Sequence, residues 1–110
     1  MTGPIRITKP LLDVLEVLLR ALADNEEPHG WAIMKATSRS GPTVYGVLER
    51  LEQGGWIGGR WEDRPAEPNK PRRRFYRLTP TGVTAARDLL AERRPQSRPA
   101  KPGRLQWGEA

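Results

Sequence analysis

Apolar residues recur every three or four positions between residues 9 and 23, and this spacing predicts an amphipathic α-helix. Thr8 can cap this helix, and Pro10 is tolerated in its first turn because the amide there has no partner within a helix. The acidic segment 24–28 then ends the helix. The leucines of its apolar stripe are Leu11, Leu12, Leu15, Leu18, Leu19 and Leu22.

Two shorter helices are predicted next. The first begins at His29 or Gly30 and ends at Thr37, and the second covers residues 41–53, with Ser40 as its cap. At 100° per residue, one face of the helix 41–53 is apolar and is expected to be buried; it contains Val44, Val47, Leu48 and Leu51. The outward face contains Thr43, Gly46, Glu49 and Arg50, with Tyr45 at its border. Two helices joined by a tight turn that contains glycine are typical of a helix-turn-helix.

A β-hairpin follows the third helix. Its first strand is predicted over residues 56–61, where Gly58 and Gly59 would permit a bend or a bulge. Residues 63–71 contain three prolines, so they form the tip of the hairpin rather than regular structure. The second strand covers residues 72–78 and alternates between its two faces.

A closing helix begins after the hairpin, with Thr79 as its cap and Pro80 at its first position, and ends near Arg94. Its apolar stripe contains Val83, Ala86, Leu89 and Leu90. Three helices, a two-stranded wing and a closing helix make a mainly α winged helix-turn-helix. We expect one domain over residues 8–94, a flexible arm over residues 1–7, and a disordered basic Pro-rich tail over residues 95–110 that includes Trp107.

Positive charge is concentrated in the hairpin and the tail. Residues 1–55 have a net charge of −1, residues 56–77 of +4 and residues 78–110 of +3. A basic excess beside a nearly neutral helical part is typical of a protein that binds a polyanion such as nucleic acid. The alternative is that the charge serves only solubility.

The composition excludes several other classes of function. The chain has no cysteine and one histidine, His29, so a zinc site and a disulfide framework are not expected, nor is any other cofactor. No nucleophile and base occur together, so an enzyme is not expected; Asp13 and Glu16 are interpreted as a solvated helix face. No apolar run could span a membrane and no signal peptide begins the chain, which predicts a cytoplasmic protein.

The tryptophans and His29 have two interpretations each. Trp31, Trp56 and Trp61 could form a stacking platform for single-stranded nucleic acid, but their apolar neighbours favour the core. His29, at the start of a helix, is interpreted as a structural or surface residue.

A series of short motifs in this order resembles the PadR family of bacterial transcriptional regulators. The resemblance covers about residues 11–90 and is fairly specific as a whole. The matching motifs are His29-Gly30-Trp31, Gly41-Pro42-Thr43-Val44-Tyr45, Leu48-Glu49-Arg50-Leu51-Glu52, Gly55-Trp56-Ile57, Trp61-Glu62-Asp63, Arg74-Phe75-Tyr76-Arg77-Leu78-Thr79 and Thr81-Gly82.

The resemblance implies a DNA-binding transcriptional regulator, typically a repressor that acts as a homodimer on a palindromic operator. Helix 41–53 would be the recognition helix in the major groove of double-stranded DNA, and residues 60–77 would be a basic wing on the flanking backbone. Some family members release DNA when a small molecule binds, so the resemblance makes a small-molecule effector possible, although no residue of this chain supports one. The residues expected to contact DNA are Ser40, Thr43, Tyr45, Arg50, Lys70, Arg72, Arg73 and Arg74.

The chain departs from the family after the closing helix. PadR-like proteins usually continue with a long helix or a helical domain that forms the dimer, whereas this helix ends near Arg94. We expect a homodimer through the apolar stripes of the first and last helices, because a core this small should not cover both. Two other functions stay open: a nucleic-acid accessory protein without sequence preference, and a protein-interaction module that no longer recognises an operator.

Overall fold

The computed structural model describes residues 5–63 and 69–95, and within these ranges the chain forms four helices and one antiparallel hairpin. The predicted winged helix-turn-helix is therefore confirmed. Its elements, in chain order, are α1 (Lys9–Ala23), α2 (Gly30–Thr37), α3 (Gly41–Gln53), β1 (Ile57–Trp61), β2 (Arg74–Leu78) and α4 (Pro80–Arg93).

Each helix begins at a side chain that caps it. Thr8, Ser40 and Thr79 accept the backbone N–H three residues further on, and these three predicted caps are confirmed. His29 caps α2 in the same way, because its Nδ1 accepts the N–H of Ala32 at 3.2 Å. The single histidine therefore has a structural role.

The core is built around α1, which contacts α2, α3, α4 and β2. The predicted buried face of α3 is confirmed, since Val44, Val47, Leu48 and Leu51 are all buried. Ile5 and Ile7 are half-buried against this core, so the described part of the segment expected as a flexible arm is packed. Residues 1–4 lie outside the described ranges.

Most residues in the apolar stripes of α1 and α4 are buried within one chain, although the core was expected to be too small to cover both. In α1, Leu11, Leu12, Leu15 and Leu18 are buried, and in α4, Ala86 and Leu90 are buried. The remaining stripe residues are half-buried: Leu19, Leu22, Val83 and Leu89. The reason is the central position of α1, which buries it against three helices and a strand.

The hairpin pairs β1 with β2 in a continuous antiparallel register, from Ile57 opposite Leu78 to Trp61 opposite Arg74. The strands begin one and two residues later than predicted, and the register contains no bulge at the two glycines. The predicted alternation in β2 is confirmed, since Tyr76 and Leu78 are buried and Arg77 is exposed. Residues 64–68 of the predicted tip lie outside the described ranges, as do residues 96–110 of the tail with Trp107.

Two of the three tryptophans that were expected in the core are on the surface. The Trp31 side chain is 59% exposed and that of Trp61 57%, whereas Trp56 is half-buried against the core. In the short helix α2 the core contact comes from Ile33, which leaves Trp31 on the solvent side with Lys35 Nζ 4.6 Å from its ring centroid. Trp61 is the last paired residue of β1, away from the helical core.

The acidic residues of α1 are not simply solvated, which corrects their interpretation from the sequence. Asp13 binds Arg39 and Arg94, each at 2.9 Å, and Glu16 binds Arg94 at 2.8 Å. Both arginines are distant along the chain, so the pattern within α1 could not reveal them. These ion pairs connect α1 to the turn before α3 and to the end of α4.

Candidate nucleic-acid interface

The outward surface of α3 presents three of the residues expected to contact DNA. Tyr45 is 49% exposed, Arg50 is exposed, and Thr43 is half-buried near the start of the helix. Ser40 caps the helix and also donates its hydroxyl proton to Thr43 Oγ1 at 3.0 Å. Because the opposite face of α3 is in the core, this polar surface has a set orientation.

Tyr45 is positioned by α2. Its ring lies on Gly30, where the Cβ of any other residue would come within 2.6 Å of Tyr45 Cε1 and Cζ. A glycine at this position therefore lets the phenol lie against the start of α2 while half of the residue faces solvent. This contact gives a physical reason for Gly30 in the motif His29-Gly30-Trp31.

The arginines of the wing are largely paired with carboxylates. Arg60 and Arg77 both bind Glu27, at 2.6 Å and 3.3 Å. Arg73 binds Glu62 at 3.1 Å and also donates its backbone N–H to that carboxylate at 3.3 Å.

The three other wing residues expected to contact DNA have different surroundings. Arg74 binds Glu52 of α3 at 2.5 Å. Arg72 is exposed and makes no ion pair with another described residue, and Lys70 is exposed near the tip. Arg72, Arg73 and Lys70 are thus exposed, whereas the Arg74 side chain is directed toward α3.

Ionised carboxylates reduce the positive charge of the wing at neutral pH. The hydrogen bond from Arg60 lowers the pKa of Glu27 below its ordinary 4.5, and the hydrogen bond from Arg73 does the same for the pKa of Glu62. Burial raises the pKa of Tyr76, so its phenol stays neutral. The arginines were predicted from the sequence but their carboxylate partners were not, because these partners depend on the fold.

An aromatic row on the outer side of the hairpin was also missed from the sequence. His29 stacks on Trp31 with ring centroids 6.3 Å apart and meets Phe75 edge-on at 5.9 Å. The guanidinium groups of Arg60 and Arg73 lie over Phe75, at 4.9 Å and 5.9 Å. The pairing of Phe75 with His29 across a single β-bridge brings these rings together, and no local pattern signals such a bridge.

Among the residues that the structure describes, no group of three or more His, Asp or Glu side chains is arranged to hold a metal ion. None of the helices in residues 5–63 and 69–95 has the length and apolar character needed to cross a membrane.

Comparison with known proteins identifies the family. The model of the transcriptional regulator PadR-like family matches residues 18–88. A PadR family transcriptional regulator from Eggerthella lenta DSM 2243 has a similar structure, with a TM-score of 0.57, 25% identity, and coverage of 72% of this chain and 69% of that one. No curated protein sequence matches this chain significantly.

Two further structures are similar. The MepR–DNA complex of Staphylococcus aureus has a TM-score of 0.58 and 26% identity, and the match covers 77% of this chain and 58% of MepR. AF1382 from Archaeoglobus fulgidus has a TM-score of 0.67 at 13% identity, over 84% of this chain and 93% of that one, which shows the fold alone. Since the family model covers more than half of the sequence, the chain belongs to the PadR-like family of transcriptional regulators, which are DNA-binding proteins rather than enzymes.

Proposed function

We propose that this PadR-like protein is a sequence-specific repressor that binds double-stranded DNA as a homodimer, with α3 in the major groove and the wing on the flanking backbone. The observation that carries the proposal is the exposed surface of α3, with Tyr45 and Arg50, followed directly by a cationic hairpin. An α-helix fits the major groove of B-DNA, where base pairs can be distinguished by their edges.

Within this proposal the residues have different roles. Thr43 and Tyr45 lie near the start of α3 and would contact base edges or phosphates, while Arg50, about two turns after Thr43, would bind a phosphate. Ser40 would act mainly through the cap that begins the helix. At the wing, Lys70, Arg72 and Arg73 would bind the backbone, and Arg73 would exchange its Glu62 partner for a phosphate.

The homodimer is proposed from the family resemblance, because PadR-like regulators typically bind palindromic operators. The two recognition helices of a symmetric dimer would bind such an operator about one DNA turn apart. The candidate surface is formed by α1 and α4, where Leu19, Val83 and Leu89 are half-buried. Sedimentation at high micromolar concentration should detect a dimer, and a monomer alone would contradict this part. The expected cytoplasmic location follows from the need to reach DNA.

The first experiment is a selection of bound sequences from a random duplex library at near-physiological salt. We expect a palindrome with half-sites about ten base pairs apart. Recovery of no motif, together with binding that disappears as salt rises, would favour the accessory protein instead. Absence of any binding would favour the protein-interaction module.

Single substitutions test the proposed surface on the selected duplex. On the proposed homodimer, Arg50→Ala and Arg72→Ala should each reduce the steepness of log affinity against log salt by about 1.8, since each removes two phosphate contacts worth about 0.9 apiece on B-DNA. Arg87→Ala is the matched control, because Arg87 is an exposed arginine on α4 and lies outside the surface of α3 and the wing that is proposed to contact DNA. Equal slopes for all of these proteins would refute the proposed contacts.

A further inference from the structure

Arg74 differs from the other arginines of the wing, because its guanidinium lies against the helix-facing side of the hairpin. It binds the Glu52 carboxylate in the last turns of α3 at 2.5 Å. The same guanidinium lies 5.2 Å from the ring centroid of Trp61 and 5.9 Å from that of Tyr76. The side chain is 25% exposed, whereas that of Arg73 is 49% exposed.

Gly59 provides the space for this arrangement. In the register of the hairpin, Gly59 pairs with Tyr76 and Trp61 pairs with Arg74, so all four residues are on one face. A Cβ at Gly59 would lie 2.6 Å from Arg74 Nε and 2.7 Å from its Cζ and Nη2. Any larger residue there would therefore displace the guanidinium.

These contacts define the Arg74 cluster, which consists of Glu52, Gly59, Trp61, Arg74 and Tyr76. A planar guanidinium can bind a carboxylate and lie on aromatic rings at the same time, and a lysine ammonium cannot reproduce this combination. Arg74 is bound to a carboxylate, lies against two aromatic rings and is only half as exposed as Arg73, so it is a poorer candidate for a phosphate contact. It instead joins the recognition helix to both strands of the wing.

We infer that Arg74 is a positioning residue, which holds the wing at one orientation to α3 and thereby sets which flanking phosphates the wing reaches. The orientation is a property of the protein alone, while its consequence for DNA rests on the proposed function. Without the Arg74 cluster, Arg72 and Arg73 would keep their charge but not a defined distance from the recognition helix.

The key test uses two neighbouring glycines that differ only in their surroundings. Gly59→Ala should displace the Arg74 guanidinium without changing any charge, and the displacement is tolerable because it moves the end of a flexible side chain. Gly58→Ala is the matched control, since a Cβ at Gly58 has no atom within 4 Å. Arg74→Lys and Glu52→Gln provide second variants that act on the cluster directly.

The first measurement is made without DNA. The chain has no cysteine, so nitroxide labels can be attached to Asp63→Cys beside the wing and Asp88→Cys on α4, both exposed positions. We expect a narrow distribution of the distance between the two labels in the protein with the unaltered cluster and in Gly58→Ala. The distribution should broaden or shift for Gly59→Ala and Arg74→Lys, and an unchanged distribution in both would overturn the inference.

The second measurement compares affinity for the full selected duplex with affinity for a duplex that lacks the flanks. Gly59→Ala and Arg74→Lys should lose most of the preference for the longer duplex while they keep affinity for the shorter one. A variant that merely failed to fold would lose affinity for the longer and the shorter duplex equally. If Arg74→Lys keeps the preference and Arg74→Ala reduces the steepness of the salt dependence by about 1.8, or about 0.9 for each subunit of the dimer, Arg74 is a phosphate contact and the inference is wrong. If no variant binds either duplex, the proposed function fails, and the label distances still decide the positioning role.

Discussion

Replacement of Gly46 by alanine should stabilise the protein. Gly46 lies in the interior of α3, and a Cβ there has no atom within 4 Å, so a methyl group meets no steric resistance. Glycine in a helix interior costs about 1 kcal/mol relative to alanine, because it loses more backbone entropy on folding. For a domain of this size, that gain corresponds to an increase in Tm of about 4–8 °C.

Gly82→Ala is the control for this prediction, because it makes the same chemical change in another helix. Its Cβ would collide with the backbone carbonyl of Trp56, whose carbon would be 2.8 Å away. Backbone cannot move as a side-chain end can, so we expect overpacking to cost about 1–3 kcal/mol and to lower the stability. Urea and thermal denaturation measure both variants. A decrease in stability for Gly46→Ala would refute the argument that a methyl group at this position meets no other atoms.

The same variant of Gly46 tests how closely DNA approaches α3. Glycine at this position either permits a phosphate to come near the helix or merely lacks a side-chain contact, and the stability gain is the same in both cases. Binding to the selected duplex distinguishes the two cases. The affinity should fall if DNA approaches the helix more closely than the width of a methyl group, and it should be unchanged otherwise.

Three other predictions concern single side chains. Asp13→Asn should lower the free energy of unfolding by about 1–2 kcal/mol, because it removes the ion pairs with Arg39 and Arg94, the first of which is also a hydrogen bond. Asp88→Asn on the exposed side of α4 should change it by less than about 0.5 kcal/mol, and denaturation in urea compares the two variants. Glu27→Gln should be destabilising at neutral pH. Since the pKa of Glu27 is lowered in the folded state, its contribution to stability is present above pH 4.5 and is lost as the pH falls through the folded pKa. The stabilities of the variant and the parent should therefore converge in acid. A difference in stability that persists in acid would contradict this. Ser40→Ala should cost about 1 kcal/mol through loss of the α3 cap, and Ser40→Asn should restore most of it in thermal denaturation.

The helices could be predicted closely from the sequence because their signals are local. Caps such as Thr8 and Thr79 mark where a helix starts, and a stripe of apolar residues over several turns identifies the buried face. The strands of the hairpin were predicted less closely, because where each strand begins depends on pairing between two segments. Because α2 has only eight residues, the helical repeat of its apolar positions could not show whether Trp31 or Ile33 faces the core. Packing of α2 against α1 and α3 determines that Ile33 does.

The candidate site could be predicted only in part. The residue types on α3 and the wing follow from the helix period and the charge pattern, and the order of motifs indicates the family. The partners of the arginines could not be predicted, because Glu27, Glu52 and Glu62 come from a loop, a helix and a strand end that only the fold brings to the hairpin. The role of Gly59 was missed for the same reason: the sequence permits a bend there, whereas the structure places a guanidinium on it.

The ion pairs of the wing also bear on the choice between a specific regulator and a nonspecific accessory protein. The net charge of +4 over residues 56–77 suggests a strong field for phosphates, but Arg74 and the two arginines on Glu27 already have carboxylate partners. Phosphates that displace such partners gain less than phosphates that meet unpaired cations, so fewer counterions of DNA should be released than the number of arginines suggests. If α3 binds the major groove as proposed, its contacts with base edges would then supply a larger share of the affinity. A wing that is cationic in sequence but internally paired in structure therefore favours a protein that selects its DNA sequence.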